Sequence, residues 1–532
     1  MATMLIDPSH SHHDREPDHA GDPSEVGVWE PIRYRFKYLP VHVALLHTGK
    51  VLALGGSCND RDRLRQPYPS ALWDPRTGEL SPIEQDLAGD IFCAGHAFLS
   101  DGRLLVAGGT YCYDVQRFGL FPLPPFSGLE HAYLFDPTSE TWARVQDMSV
   151  GRWYPTLLTM GDGRILCTAG FTKRFPWVFL RKIEVYSPGE GWRKLKGADR
   201  WMPLYPRLHL LPDGRIFYAG SYNTHYTFPF VLWGFPTAIL NPKTGRWTEI
   251  GLPRTSEREE GTTVLLPLTP PDYRARILLT GGGTPRGDHA LPDAEIVDLS
   301  EPRPRWRAIA SMMHARYYAY AVILPNRQLL VVGGRSGAKS HHPPDIGPAT
   351  DPDQSEDEPA LQDPPQDSLA IREAEMFDSG SEQWRPVASM QVDRLYHSNA
   401  LLLPDGRVMV VGSNPASKVN ELRIEIYSPP YLFHGPRPRI DDAPPAVIYG
   451  GEFEIRTPDA REVDEVALIR PSSTTHCVNT DQRYVGLSII GRNSESLRAM
   501  IPDNPNLAPP GYYMLFIVHN GIPSEARFIR VR

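Results

Sequence analysis

The sequence predicts an all-β protein in which a seven-bladed β-propeller is followed by an immunoglobulin-like β-sandwich. One observation predicts the propeller: a two-strand unit with glycine at or near its end recurs seven times between residues 45 and 413. A second predicts the sandwich, because the repeat stops after Pro429 and about 100 residues of short alternating strands follow. The 54 prolines and 44 glycines favour many turns and few long helices, which suits both domains.

Each repeat unit consists of an apolar stretch, a tight turn, a second apolar stretch and then glycine. The seven copies are LLHTGKVLALGG (45–56), FLSDGRLLVAGG (98–109), LLTMGDGRILCTAG (157–170), LHLLPDGRIFYAG (208–220), VLLPLTPPDYRARILLTGGG (264–283), VILPNRQLLVVGG (322–334) and LLLPDGRVMVVGS (401–413). The Asp-Gly centres predict hairpin turns, since glycine takes the positive φ that a two-residue connection needs. Each unit is therefore two antiparallel strands.

A third short strand follows each unit, as in AYLFDP and IEIYSP. Beyond five of these strands a tryptophan stands where a fourth, outer strand would begin: Trp142, Trp192, Trp247, Trp306 and Trp384. Four strands per unit of roughly 50 residues, with terminal glycines and an outer aromatic, are the kelch pattern of a propeller. Because a propeller closes its ring, we expect VGVWEPIRYRF (27–37) to supply an outer strand to the last blade.

The pattern divides the chain into three parts. Residues 1–24 are predicted to be a disordered N-terminal segment, and their sequence lacks the basic and then apolar pattern of a secretory signal. Residues 25–429 are assigned to the propeller, which an acidic, proline-rich stretch at 335–371 interrupts as a predicted mobile loop. Residues 430–532 are assigned to the immunoglobulin-like domain.

Charge and hydropathy exclude several kinds of partner. The formal net charge is −8, and no basic stripe is present for a nucleic-acid backbone. No apolar run approaches the ~20 residues that span a bilayer. The five cysteines form no CxxC pair, so a disulfide framework is not indicated. We expect a monomer that acts on a small molecule.

Four segments place polar or redox-capable residues where strands of the ring approach the central axis. They are IFCAGH with Cys93 and His96, RWYPT with Trp153 and Tyr154, RLYHS with Tyr396 and His397, and STTHCVNTDQR with His476. A single buried tyrosine or histidine is usually structural. Two imidazoles and two phenolates together suit Cu(II), whereas zinc more often recruits cysteine or carboxylate ligands.

Five of these motifs, in chain order, resemble the copper-radical oxidases, the family of galactose oxidase and glyoxal oxidase. They are FCAGH, RWYPT, YHS followed by LLLPDGR, IEIYSPPYL and LIRPSSTTHCVNTDQR, and the likeness covers nearly the whole chain. The resemblance implies a thioether bond from Cys93 to the ring of Tyr154, which forms a protein-derived radical cofactor. It also implies one copper ion bound by Tyr154, His397 and His476, with Tyr396 as an axial ligand that accepts the substrate proton.

The implied reaction removes two electrons from a small aldehyde or primary alcohol and passes them to O2, which yields hydrogen peroxide. Copper handles one electron, and the tyrosyl radical supplies the second. A sugar-binding pattern like that of galactose oxidase is not evident, so the resemblance is nearer to glyoxal oxidase.

Some alternatives stay open at this stage. Galactose oxidase has a tryptophan over the cross-linked ring, but the corresponding loop here reads AGFTKRFPW, so Phe171, Trp153 or Tyr222 could cover it. A kelch propeller can also be a non-catalytic binding scaffold. Hydrolase or lyase chemistry would use acids such as Asp393 or Asp481.

Overall fold

The computed structural model confirms the predicted fold class: the chain is nearly all β, with seven propeller blades and a C-terminal β-sandwich. It describes residues 21–57, 69–85, 87–112, 117–118, 121–122, 127–172, 180–222, 235–255, 258–284, 289–337, 367–414 and 420–532. Most of the predicted mobile loop, residues 338–366, and residues 1–20 of the predicted disordered segment lie outside the described residues. The predicted boundary at 24 falls inside a short helix, Pro23–Val26.

Each blade is an antiparallel sheet, and its strands are given below in order from the axis to the outer edge. Blade 1 contains His42–Leu45, Val51–Leu54, Ser70–Trp73 and Leu80–Ile83; blade 2 contains Asp90–Phe98, Leu104–Cys112, Ala132–Asp136 and Thr141–Arg144; blade 3 contains Thr156–Thr159, Ile165–Thr168, Glu184–Ser187 and Gly191–Lys194; blade 4 contains Leu208–Leu210, Ile216–Tyr218, Thr237–Asn241 and Arg246–Gly251. Blade 5 contains Thr262–Leu265, Arg276–Thr280, Ala294–Asp298 and Trp306–Ala308; blade 6 contains Tyr320–Ile323, Gln328–Val332, Ala374–Asp378 and Gln383–Val387; blade 7 contains Asn399–Leu402, Val408–Val411, Arg423–Ser428 and Val28–Trp29.

The smaller elements lie around this ring. Tyr34–Arg35 also pairs with the third strand of blade 7, and Ser127–Gly128 pairs with the second strand of blade 2. Two short ladders join Arg117–Phe118 to Phe121–Pro122 and Ser221–Tyr222 to Arg258–Glu259. A 3-10 helix, Pro430–Phe433, leads out of blade 7. None of the helices in the described part of the chain is long and apolar enough to cross a membrane.

The N-terminal strand closes the ring, as the sequence predicted. Val28 and Trp29 pair with Ser428 and Tyr427, at the outer edge of blade 7. The indole of Trp29 donates a 2.7 Å hydrogen bond to the carbonyl of Ala388, just beyond blade 6. Trp29 therefore joins blade 7 to its neighbour in the same way as two of the predicted outer tryptophans, Trp247 and Trp384. Trp384 of blade 6, for example, donates to the carbonyl of Ala310, just beyond blade 5.

A buried arginine–glutamate pair recurs in four blades. The pairs are Arg152–Glu184, Arg258–Glu295, Arg316–Glu375 and Arg394–Glu425, and every one of these side chains is almost fully buried. Each arginine precedes the innermost strand of its blade, and each glutamate lies on the third strand. The pair thereby fixes the segment that leads to the axis, where the functional residues lie.

Breaking one of these pairs will destabilise the ring. We expect Arg316→Met to lower the free energy of unfolding by about 3–5 kcal/mol, because Glu375 is then left as a buried, uncompensated charge. Urea unfolding measures the loss. The double variant Arg316→Met/Glu375→Leu should recover part of it, since it removes both charges. A single variant as stable as the parent would contradict this role.

The C-terminal sandwich is built from Ala446–Val447, Glu452–Arg456, Glu465–Arg470, Arg483–Arg492, Ser496–Met500, Gly511–His519, Ile522–Pro523 and Arg527–Val531. Between Arg470 and Arg483 it extends a hairpin, Ser473–Thr475 with Val478–Asn479, into the propeller. Val43 of the innermost strand of blade 1 pairs with Thr474. The second domain thus places His476 at the axis of the ring.

Candidate metal centre

The axis of the propeller is lined by residues with an unusual backbone conformation. At the axis, blades 2 to 7 each contribute a non-glycine residue with positive φ: Cys93 (65°), Tyr154 (64°), Tyr205 (43°), Glu260 (54°), Tyr318 (63°) and His397 (61°). Several of them are linked by backbone hydrogen bonds across blades, including Tyr154 N to Cys93 O and Tyr205 N to Tyr154 O, both 3.0 Å. Such conformations cost about 1–3 kcal/mol each and cluster at functional sites.

All five residues singled out in the sequence meet at this axis. The Nε2 atoms of His397 and His476 are 3.0 Å apart, and the hydroxyl oxygens of Tyr154 and Tyr396 are 2.5 Å apart. The sulfur of Cys93 lies 3.8 Å from Nε2 of His476. The ring of Tyr154 meets the imidazole of His476 edge-on, with centroids 4.8 Å apart. Two imidazole nitrogens and two phenol oxygens therefore point into one small space.

Burial sets the protonation of these groups. It lowers the pKa of His397 to about 3, so this imidazole is neutral near pH 7 and has a lone pair to donate. It also raises the pKa of Tyr154 and that of Tyr396 well above the ordinary value. Both phenols therefore carry their protons unless a cation is present. Tyr396 is the only one of the five that is not fully buried.

Thr475 fixes which nitrogen of His476 is free. Its hydroxyl donates a 2.9 Å hydrogen bond to the carbonyl of Val41 and lies 2.6 Å from Nδ1 of His476. Because the hydroxyl has a single hydrogen, its oxygen accepts the Nδ1–H of the imidazole. The Nε2 atom is then unprotonated and faces His397. A partner on the other ring nitrogen is usual for a histidine that binds a metal.

The donor set fits copper. Two neutral imidazoles with two phenolate oxygens provide the nitrogen and oxygen ligation that Cu(II) prefers. Within the described residues, no three His, Cys, Asp or Glu side chains come together in a way that could hold a metal ion. Tyrosine oxygens would therefore complete the donor set of the two imidazoles, in place of the carboxylate or second cysteine of a typical zinc site.

Trp153 covers the ring of Tyr154. The two rings stack at 3.8 Å with an interplanar angle of 13°, and Phe171 stacks in turn on Trp153, with centroids 5.7 Å apart. Tyr222, the third candidate from the sequence, packs against Phe235 instead.

Comparison with known proteins supports the same chemistry. A family model described as "Galactose oxidase-like, Early set domain" matches residues 437–531. The aldehyde oxidase GLOX of Vitis pseudoreticulata is 27% identical over 95% of this chain and 97% of its own length. Galactose oxidase of Gibberella zeae is 27% identical over 87% of this chain and 64% of its own. The structure of a fungal alcohol oxidase of the AA5 family, in complex with copper, has a TM-score of 0.76 at 26% identity and covers 95% of this chain and 99% of that one.

The chain belongs to the copper-radical oxidase family. These relatives show that the chain is an oxidase enzyme, so the alternative of a non-catalytic scaffold is set aside. The hydrolase alternative also loses support, because both acids are used structurally. Asp481 accepts hydrogen bonds from the Phe98 amide and from Arg470, and Asp393 accepts one from Arg372.

Sequence reasoning missed three residues of the oxidase's axis: Tyr205, Glu260 and Tyr318. Tyr205 stacks on the ring of Tyr154 with centroids 4.5 Å apart, and the ring of Tyr318 lies 5.0 Å from that of Tyr396. The sequence does contain a signal for two of these three residues. Glu260 and Tyr318 each stand two residues after an arginine of a buried pair, as Tyr154 and Tyr396 do.

The buried histidines near the axis predict acid sensitivity. Burial lowers the pKa of His96 to about 3, against about 6.5 in an unfolded chain. Between these values the unfolded state binds the extra proton, so stability falls as pH falls. His96 then contributes a loss of about 1.4 kcal/mol per pH unit in the copper-free protein. Urea unfolding at several pH values should show a slope smaller by that amount in His96→Gln. An unchanged slope would contradict the assignment.

Proposed function

We propose that this oxidase converts a primary alcohol to the aldehyde, or an aldehyde to the carboxylic acid, and reduces O2 to hydrogen peroxide. Its single copper ion is held by Tyr154, Tyr396, His397 and His476. The observation that carries the proposal is the convergence of two Nε2 atoms 3.0 Å apart with two phenol oxygens 2.5 Å apart. Copper supplies one of the two electron-accepting centres and a Lewis acid for the substrate oxygen.

Tyr396 is proposed as the base for the substrate hydroxyl. Its ring is partly exposed, unlike those of the other donors, so it is the ligand that a substrate can approach. Burial, and after it the charge of Glu260, raises the pKa of its hydroxyl well above the ordinary value. A phenolate with a high pKa takes up a proton strongly. Tyr396 therefore suits removal of the hydroxyl proton at the start of the reaction.

Cys93 and Tyr154 are proposed to form the second redox centre through a thioether bond. The bond joins the sulfur to a ring carbon of Tyr154, and the two hydrogens that are lost reduce O2. The amide of Tyr154 donates to the carbonyl of Cys93, and the sulfur and the phenol ring both flank His476. A sulfur substituent lowers the oxidation potential of the phenol, and the stacked rings of Trp153 and Tyr205 keep solvent from it.

The electrons balance over one turnover. An alcohol RCH2OH loses two electrons and two protons to give RCHO, and a hydrated aldehyde RCH(OH)2 gives RCOOH in the same way. The Tyr154 centre would accept one of these electrons, and a bound copper ion would provide the acceptor for the other. O2 then takes both electrons and both protons as hydrogen peroxide.

Small aldehydes are the proposed substrate class. The support is the likeness to an aldehyde oxidase over nearly the full length of both chains, whereas the chain spans 64% of galactose oxidase. The likeness to a copper alcohol oxidase supports primary alcohols as the second class. The enzyme is thus proposed to be nearer to glyoxal oxidase than to galactose oxidase.

The test is peroxide formation by copper-loaded protein. Purified protein is loaded with Cu(II), treated with a mild oxidant and offered glyoxal, methylglyoxal, benzyl alcohol and galactose in parallel. We expect O2 uptake and an equal amount of peroxide with the aldehydes, and less with galactose. The control is His397→Ala/His476→Ala, which should neither bind copper tightly nor form peroxide. Absence of peroxide with every substrate, from protein that holds one copper per chain, would contradict the proposal.

A further inference from the structure

Arg207 is a buried cation that contacts three main-chain carbonyl groups. It is 2% exposed and lies between the axis and the innermost strand of blade 4. Its guanidinium donates hydrogen bonds to the carbonyl oxygens of Tyr205 (2.7 Å), His476 (3.3 Å) and Gly261 (3.3 Å). One side chain thus connects blade 4, blade 5 and the hairpin that the second domain inserts.

This arrangement differs from that of the other buried arginines of the ring. Arg152, Arg258, Arg316 and Arg394 each pair with a glutamate of their own blade. The described hydrogen bonds of Arg207 go to carbonyl oxygens alone. Burying a cation is unfavourable unless its donors are satisfied, so the geometry of these carbonyl groups is tightly coupled to the guanidinium.

The tip of the inserted hairpin needs such support. His476 (φ 47°) and Cys477 (φ 61°) are consecutive non-glycine residues in the left-handed region, which persists only where the surroundings hold it. The amide of Cys477 donates to the hydroxyl of Tyr320 of blade 6, and Thr475 donates to Val41 beside blade 1. Arg207 supplies a further contact, to the carbonyl of His476 itself.

We propose that Arg207 is a positioning residue that holds the main chain of His476 so that its imidazole faces that of His397. The inference rests on the proposed function for the role of His476 in binding copper. The residue acts through the backbone of a ligand and contacts neither metal nor substrate. His476 belongs to the second domain and Arg207 to the propeller. Through this contact the propeller sets the position of a ligand that the other domain supplies.

Arg483 offers a matched control. It is 5% exposed, and its guanidinium also donates only to carbonyl oxygens among its described hydrogen bonds: Leu507 (2.6 Å), Leu210 (3.1 Å) and Asn506 (2.7 Å). Like Arg207, it joins blade 4 to the second domain. It does not contact the hairpin tip in the described structure, so its loss should affect domain packing alone.

The experiment compares Arg207→Met, Arg207→Lys and Arg483→Met with the parent protein. Cu(II) affinity is measured by titration against a competing chelator, and the loaded proteins are examined by electron paramagnetic resonance. We expect Arg207→Met to bind Cu(II) about 10- to 100-fold more weakly, the range for loss of a group that orients a metal ligand, and to show altered copper hyperfine splitting. Arg483→Met should keep the parent affinity and spectrum.

A second readout needs no metal. Hydrogen exchange of copper-free protein, followed by mass spectrometry, reports on the peptide that contains residues 472–479. We expect faster exchange there in Arg207→Met and parent-like exchange in Arg483→Met. If Arg207→Met does not fold, Arg207→Lys is decisive, because lysine keeps the charge but loses the planar fork that reaches three carbonyls.

Equal hairpin exchange in the Arg207 and Arg483 variants would overturn the inference, as would equal copper affinity and spectra. A parent protein that binds no copper would instead contradict the proposed function. In that case only the hydrogen-exchange measurement tests the role of Arg207.

Discussion

Replacing Cys93 with alanine is expected to lower kcat by about three orders of magnitude while one copper still binds per chain. The loss is large because residues that act as one catalytic unit fail together. Without the sulfur, Tyr154 keeps an ordinary phenol oxidation potential, and the second electron has no ready acceptor. Peroxide formation at saturating substrate, together with the copper content of the same sample, measures the effect.

Cys167→Ala is the control for this variant. Cys167 is also fully buried, but it lies on the second strand of blade 3, where its sulfur contacts Met148 at 3.8 Å. The same atoms are removed, away from the axis, so kcat should equal that of the parent. A Cys93→Ala enzyme with parent kcat would refute the proposed cofactor.

Tyr396→Phe is expected to lower kcat about 10²- to 10⁴-fold, the usual contribution of a positioned base. Copper should still bind, because His397, His476 and Tyr154 are unchanged. The control is Tyr427→Phe in the same blade, whose hydroxyl donates to the carbonyl of Val26 at the outer edge. It removes a buried tyrosine hydroxyl far from the axis and should leave kcat unchanged. Equal kcat in Tyr396→Phe and the parent would exclude Tyr396 as the base.

The features that the sequence predicted well depend on local patterns. Hairpin turns and terminal glycines mark the blades one by one, and the outer tryptophans mark their edges. The prediction that an N-terminal strand completes blade 7 followed from the need to close the ring, and Val28–Trp29 is that strand. The five site residues were found because each has a chemically distinctive side chain near an inner strand: Tyr154, Tyr396 and His397 stand just before one, Cys93 lies within one, and His476 is at a hairpin tip.

The features that the sequence could not predict depend on contacts between distant segments. Trp153 and Phe171 lie opposite each other in one backbone bridge, so only their packing shows which ring covers Tyr154. Arg207 acts through main-chain carbonyl groups, and Thr475 connects a main-chain carbonyl to the imidazole of His476. Such contacts leave no pattern in the sequence. Their roles exist only after the second domain has inserted its hairpin into the ring.

The protein-derived cofactor is the central claim, and mass measurement of peptides tests it most directly. Copper-free protein is loaded with Cu(II) under O2, digested and analysed beside an unloaded sample and the loaded Cys93→Ala variant. We predict one new species in the loaded parent, in which the peptide with Cys93 is joined to the peptide with Tyr154 and the total is two hydrogens lighter. Full recovery of the two separate peptides from copper-loaded protein that forms peroxide would contradict the account.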